Sequence, residues 1–275
     1  MPGSGTSLFS DPGAYQASLP KVTKLYPTEL GGFSARVTWV ELRHLHLLHA
    51  REQVPRVAYM SLPPEWVFVM FPTRRTSSLL CDGALARLGN LVFHSPGERF
   101  HQKTAGATAW GSICLTPSSF QSYGRTLAGR DLSSPQFAQI LRPAPSDLKR
   151  LLRLHAQAIR IAETKLNHIG HQEVAHALEQ DLIWALVQCL TASDPDCDSA
   201  VSRRHAAALV RLEEVLAANR GPLPRVPELC RTLGISEQAL RISCARVLGM
   251  TPARYLRLLR REQNPRATMV DRAEA

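Results

Sequence analysis

Short apolar segments fill the first half of the chain, and apolar residues at helical spacing fill the second half. The early segments are rich in β-branched and aromatic residues and are separated by Pro, Gly and Asn, which is typical of strands joined by turns. They cover residues 36–48, 56–60, 66–71, 85–93 and 110–115. Many short strands with turn residues between them predict a β-sandwich or barrel.

The period changes after a Pro- and Gly-containing connector over 121–145. Apolar residues then recur every three or four positions in two stretches, which predicts two amphipathic helices separated by a break at 167–170. The first stripe holds Leu148, Leu151, Leu152, His155, Ile159, Ala162 and Leu166, and the second holds Val174, Leu178, Leu182, Ala185, Leu186 and Cys189. Ile183, Trp184 and Val187 widen the second stripe, so these helices either pack on the barrel or also form a dimer interface.

The spacing over 227–249 predicts two short helices joined by a tight turn. Pro227 suits a first helical position, Ser236 suits an N-cap, and Gly249 suits the residue after a helix end. A small residue at Cys230, a glycine at Gly234 and an apolar residue six positions later meet the needs of a helix-turn-helix. Leu240, Cys244 and Val247 would form its core, behind a further helix over 203–219. The alternative is an αα-hairpin without a DNA-binding role.

The charge is uneven along the chain, whose formal net charge is +10. Residues 200–275 hold 14 Arg against 7 Asp and Glu, whereas the preceding 199 residues hold 19 basic against 16 acidic side chains. A general preference for Arg over Lys does not explain this asymmetry. The basic C-terminal quarter therefore predicts an anionic partner such as DNA.

Other chemistries find little support in the residues. No segment approaches the ~18–20 apolar residues of a membrane helix, and residues 1–13 do not resemble a secretory signal. The six cysteines form no CxxC pair, which favours buried thiols in a reducing cytoplasm. We expect no metal, cofactor or catalytic site, because the histidine clusters lack the spacing of a metal-dependent cupin. These clusters are His44, His46 and His49, and His94 and His101 with Glu98.

Residues 249–262, GMTPARYLRLLRRE, resemble the AraC/XylS family of bacterial transcription regulators. The family carries a similar stretch after its first helix-turn-helix, where Thr251 would cap a long linking helix and Pro252 would be its first residue. Members have two helix-turn-helix units, whereas this chain continues after Arg261 with EQNPRATMVDRAEA and ends. Asn264-Pro265 is expected to stop the helix. The expectation is therefore a truncation or frame change that removes the second DNA-reading helix.

The resemblance implies an α+β organisation with separate domains. It predicts a cupin-like, effector-binding β-barrel over 21–145, a helical dimerisation segment over 146–192, a linker over 193–202 and a helix-turn-helix domain over 203–275. Residues 92–111 resemble the corresponding barrel segment of many members, although this part of the likeness is weaker. Residues 1–20, which are rich in Gly, Ser and Pro, are expected to form a disordered arm.

The DNA-binding candidates lie on the second helix of the motif and on the helix after it. Gln238 and Arg241 share a face with Ile242 and Ala245, and Gln can pair with adenine while Arg pairs with guanine. Three positions depart from the family, which usually has Arg at 242, Phe at 244 and often a basic residue at 245. The remaining candidates would contact phosphates, or else form a solvated face: Arg246, Arg254, Arg257 and Arg260, with Ser236 and Thr251 as neutral contacts.

The leading hypothesis is a cytoplasmic transcription regulator that binds double-stranded DNA under the control of an unknown small effector, as a homodimer and without a membrane partner. The second hypothesis is an interaction protein that binds no DNA and pairs with a full-length relative, or a decayed gene product. The third and weakest is a cupin enzyme.

Overall fold

The computed structural model describes residues 2–19, 21–29, 31–164, 169–191, 194–196 and 200–263. The sandwich strands and their helices are β1 (Gly3–Phe9), α1 (Pro12–Ser18), β2 (Val22–Pro27), β3 (Ala35–Glu41), β4 (His46–Glu52), β5 (Arg56–Ser61), β6 (Val67–Pro72), β7 (Ser78–Cys81), β8 (Ala84–Arg87), β9 (Leu91–His94), β10 (Arg99–Lys103), β11 (Thr108–Leu115), α2 (Pro117–Ala128) and β12 (Gln139–Arg142). The later elements are α3 (Pro145–Thr164), α4 (Gln172–Thr191), β13 (Asp194–Asp196), α5 (Ala200–Ala218), α6 (Val226–Leu233), α7 (Glu237–Val247) and α8 (Pro252–Gln263).

The strands form two antiparallel sheets that face each other. One has the order β1-β3-β4-β11-β6-β9-β12-β13 and the other β2-β5-β10-β7-β8. Alternate residues of the strands point between the sheets, where Phe68, Met70, Phe100 and Trp110 are buried together. The predicted α+β class, with an N-terminal β-sandwich followed by helices, is confirmed.

The expectation of a disordered arm over residues 1–20 is wrong for most of its length. Strand β1 pairs with β3 from Gly3 to Phe9, and backbone hydrogen bonds hold it although it has few apolar side chains. A Cβ on Gly5 would lie 2.9 Å from the indole of Trp39, so glycine allows this close approach. In α1, the buried Tyr15 donates a 2.6 Å hydrogen bond to Oε1 of Glu52, which ties the segment to the sandwich interior.

The helices α3 and α4 pack on the outer face of the larger sheet. Their apolar stripes join Leu47, Val69 and Ile113 of the strands in one buried cluster. A Cβ on Gly111 would lie 2.7 Å from His155 Cε1, so this glycine lets α3 come close to the sheet. Packing on the sandwich therefore uses most of both stripes; Leu166 lies outside the described residues. Among the described helices, none is long and apolar enough to cross a membrane.

Two predicted connections also differ from the structure. The connector over 121–145 begins inside α2, which is twelve residues long and ends at a left-handed Gly129. Within the predicted linker over 193–202, Asp194–Asp196 pairs with β12 as β13, and α5 begins at Ala200. The rest of that linker before residue 200 lies outside the described residues. Both connections gain order from contacts distant in sequence, which composition does not reveal.

Candidate nucleic-acid interface

A sharp corner between α6 and α7 is built from local sequence signals. Gly234 ends α6 in the left-handed region with φ +66°. The hydroxyl oxygen of Ser236 then accepts a 3.1 Å hydrogen bond from the backbone N–H of Ala239, which caps α7. Pro227 is the second rather than the first residue of α6, because the helix begins at Val226. These caps fix where one helix stops and the next begins.

The core behind the corner contains the three residues predicted for it, because Leu240, Cys244 and Val247 are buried. Helix α5 also makes polar contacts with α6 and α7. His205 Nδ1 lies 2.9 Å from the Ser243 hydroxyl, and Arg211 donates a 3.0 Å hydrogen bond to the carbonyl of Leu233 at the end of α6. We call α5 to α8 the helix-turn-helix unit.

The opposite face of α7 is open to solvent. Gln238, Arg241, Ala245 and Arg246 are exposed, and Ile242 is 38% exposed although it is a large apolar residue. The sandwich approaches α7 only near its C-terminal end among the described residues, where a Cβ on Gly83 would lie 3.3 Å from the carbonyl oxygen of Arg246. The structure thus brings the four predicted base-facing positions together on one accessible surface.

The remaining candidates divide between the solvent and the sandwich. Arg257 and Arg260 are exposed on α8. Thr251 is also exposed, and its hydroxyl oxygen accepts a 3.3 Å hydrogen bond from the N–H of Arg254 at the start of α8. Arg254 itself extends to the sandwich, where its Nη2 donates to the carbonyl of Thr28 at 3.5 Å. Arg254 therefore lies at the edge of an interdomain contact.

A buried carboxylate forms the centre of that interdomain contact. Glu213 of α5 is 1% exposed and lies 2.7 Å from Lys24 Nζ and 3.3 Å from His101 Nε2, both on the sandwich. The hydroxyl of Tyr255 on α8 also donates to Glu213. Glu213 lies four residues after Leu209 and three before Leu216, so it shares their helix face, but nothing local in the sequence identifies its partners.

The electrostatics of the contact favour an ionised Glu213. Burial alone would raise its pKa, but hydrogen bonds and charge from His101 and Lys24 outweigh burial and lower the pKa to about 2. Burial and the Glu213 charge together raise the pKa of Tyr255 well above its usual value. At neutral pH a carboxylate thus accepts hydrogen bonds from a protonated tyrosine, a lysine and a histidine.

A cavity of about 720 Å³ lies between the sandwich and α5. Val92 and Phe100 line it from the sheets, and Ala207 and Val210 line it from α5. His94 also lines it; its Nδ1 lies 3.1 Å from Glu98, while its buried Nε2 has no hydrogen-bond partner among the described residues. We call this space the α5 cavity. Its walls belong to both the sandwich and the helix-turn-helix unit.

The sequence cluster of His94, Glu98 and His101 is divided between two places in the structure. His94 and Glu98 contact each other at the α5 cavity, while His101 faces Glu213 at the interdomain contact. Within the described ranges, no group of three or more His, Cys, Asp and Glu side chains is placed to hold a metal ion. The five cysteines within those ranges are buried.

Comparisons with known proteins give structural likenesses at low identity. No protein-family model and no curated protein matches the sequence. The chain is similar to the AraC-like transcriptional activator CuxR, with 16% identity, a TM-score of 0.48 and 94% of each chain covered. It is also similar to ToxT from Vibrio cholerae, with 9% identity and a TM-score of 0.33 over 78% of this chain and 99% of that chain. A third similar structure is a cupin 2 conserved barrel domain protein from Rhodopseudomonas palustris. It has 15% identity and a TM-score of 0.24 over 52% of this chain and 89% of that chain.

Proposed function

We propose that this chain is a sequence-specific DNA-binding transcription regulator of the AraC/XylS type, controlled by a small effector. One observation carries the proposal: α7 follows a glycine-turned corner and presents Gln238, Arg241, Ile242 and Ala245 to solvent. The second helix of such a motif enters the major groove of DNA with residues of this kind. A site of this kind binds and reads DNA without catalysing a reaction, so the proposed function needs no cofactor, metal or catalytic residue.

Each exposed side chain has a role that its chemistry allows. Arg241 would donate two hydrogen bonds to guanine, and Gln238 would pair with adenine. Ile242 and Ala245 would contact thymine methyl groups, which suits apolar side chains at positions where the family often has basic ones. Arg246, Arg257 and Arg260 would neutralise phosphates, and Ser236 and Thr251 would add neutral contacts. Arg254 would join them only where its contact with Thr28 is released.

The α5 cavity is the proposed effector site. An effector there would touch strands of the sandwich and the first helix of the helix-turn-helix unit at once. The unpartnered His94 Nε2 offers one hydrogen bond to such a molecule, and the apolar walls favour a largely apolar body. A ligand that prefers one spacing between sandwich and α5 would bias the position of the whole unit.

A homodimer through α4 is also proposed. After α4 has packed on the sandwich, Val174 is 40% exposed and Trp184 is 37% exposed on its outer side. The guanidinium of Arg150 lies 4.2 Å from the centre of the Trp184 ring and 3.2 Å from Asp181. The same exposed residues favour the second candidate function, an interaction protein that pairs with a relative and binds no DNA.

A fluorescence anisotropy titration with genomic duplex fragments separates the two candidates. We expect the wild-type chain to bind a subset of fragments, and Arg241→Ala to lose about 1–3 kcal/mol on those fragments. Arg153→Ala is the matched control, because Arg153 is exposed on α3, far along the chain from the helix-turn-helix unit. Absence of any fragment preference in the wild type would favour the interaction protein. A bacterial regulator of this kind would act in the cytoplasm, where its DNA is.

A further inference from the structure

A second cavity, of about 340 Å³, lies between the outer face of the larger sheet and α3. Its position follows from strand alternation, because Leu47, His49 and Arg51 share one face of β4. Leu47 belongs to the apolar cluster beneath the helices, whereas His49 and Arg51 line the cavity beyond the end of that cluster. The contact between sheet and helix therefore changes from apolar to cationic along its length. We call this space the arginine cavity.

Three arginines line the arginine cavity: the half-buried Arg51 from β4, and the exposed Arg74 from the segment after β6 and Arg160 from α3. Among the described residues, no carboxylate lies within 4.0 Å of any of these guanidinium groups. The Nε of Arg51 is buried and has no hydrogen-bond partner in the described chain. A buried N–H donor of this kind is unfavourable until an acceptor reaches it.

Neutral polar groups complete the wall. His49 Nε2 lies 3.1 Å from the Thr73 hydroxyl, and His155 Nε2 lies 3.2 Å from the carbonyl of Leu48. Burial, and then the charges of His155, Arg51 and Arg74, lower the pKa of His49 to about 3. Burial lowers the pKa of His155 to about 4. Both imidazoles are therefore neutral at pH 7, and the positive potential inside the cavity comes from the arginines.

One acidic residue and an apolar wall limit what the cavity accepts. Glu163 lines the rim, where its Oε1 accepts a 3.2 Å hydrogen bond from Thr38. Three arginines and one glutamate leave a formal charge of +2 around the space. Leu152, Ala156 and Ile159 of α3 form an apolar side. The lining thus suits a molecule with a multiply charged anionic end and a small apolar body.

We propose that the arginine cavity binds a small phosphate monoester. The guanidinium groups of Arg51, Arg74 and Arg160 would hold its phosphate oxygens through paired N–H donors, which match phosphate geometry. The organic group would lie against Leu152 and Ile159. The site is separate from the α5 cavity and from helix α7. The proposal of phosphate binding therefore does not depend on the proposed DNA binding.

Isothermal titration calorimetry of the full chain with phenyl phosphate, inorganic phosphate and phenol, at constant ionic strength, tests this site. We expect saturable binding of phenyl phosphate, about tenfold weaker binding of inorganic phosphate, and no binding of phenol. Arg160→Gln should weaken phenyl phosphate about tenfold or more through the loss of one charged donor pair. Arg153→Gln, an exposed change on the same helix, should leave the affinity within about twofold of the wild type.

Two results would overturn the proposal. The first is the absence of saturable phenyl phosphate binding to the folded wild-type chain. The second is an equal loss of affinity in Arg160→Gln and Arg153→Gln, since that would assign binding to overall charge. Arg51→Gln provides a second measurement of the same contact, and far-ultraviolet circular dichroism verifies that each variant is folded. A failed DNA titration leaves these outcomes unchanged.

Discussion

Replacing Glu213 by Gln removes the central charge of the interdomain contact while keeping the shape of the side chain. Glu213 is 1% exposed, and its pKa is lowered to about 2 in the folded chain. An unfolded Glu has a pKa of about 4.3, so the folded state favours ionisation by about two units, or about 3 kcal/mol. Because Lys24 is partly exposed and can regain water, we expect Glu213→Gln to lose about 2–3 kcal/mol of unfolding free energy at pH 7.

The stability that Glu213 contributes should decrease as the pH falls. A folded pKa below the unfolded one contributes stability that is complete above the unfolded value and is lost as pH falls through the folded value. The contribution should therefore be full at pH 7, about half at pH 3, and absent below pH 2. Urea unfolding of wild type and Glu213→Gln, followed by circular dichroism at pH 7 and pH 3, measures the difference directly.

The neighbouring Glu214 provides a matched control. It pairs with Arg99 at 2.7 Å, but both side chains are nearly half exposed, so Glu214→Gln should cost less than about 1 kcal/mol. Equal losses in the two variants, or a Glu213→Gln loss that is the same at pH 7 and pH 3, would refute the reasoning. Either result would mean that the carboxylate is not held ionised by His101 and Lys24.

Two further predictions concern the packing of α3 and the proposed DNA-binding surface. Gly111→Ala should lower the unfolding free energy by about 1–3 kcal/mol, because the added Cβ would lie 2.7 Å from both His155 and Phe71. An unchanged midpoint of urea unfolding would contradict the close packing of α3 on the sheet. Arg257→Ala should reduce the slope of log affinity against log salt by about 1, since it removes one phosphate contact; an unchanged slope would show that Arg257 remains solvated.

The parts of the fold that the sequence predicts are those set by neighbouring residues. Gly234 and Ser236 determine the corner between α6 and α7 through backbone conformation and capping, and both signals are local. Strand alternation and helical periodicity predict the sandwich and the apolar stripes for the same reason. The candidate DNA-facing residues follow from helix geometry once the corner is placed.

The parts that the sequence does not predict depend on distant partners. Glu213 meets Tyr255 across 42 positions and Lys24 across 189, so no spacing rule connects them. Residues 1–20 are poor in apolar side chains by composition, yet pairing of Gly3–Phe9 with β3 and the burial of Tyr15 in α1 order the described part of this segment. The arginine cavity likewise joins strands to a helix about a hundred residues later.

The most direct test of the account is selection of binding sites from a random duplex library, with wild type and Arg241→Ala compared side by side. If the exposed face of α7 reads bases, the wild type should enrich a defined motif, and Arg241→Ala should lose preference at one guanine position while the other positions persist. Enrichment of no motif, or of the same motif by both proteins, would contradict the assignment of α7 as the base-reading helix.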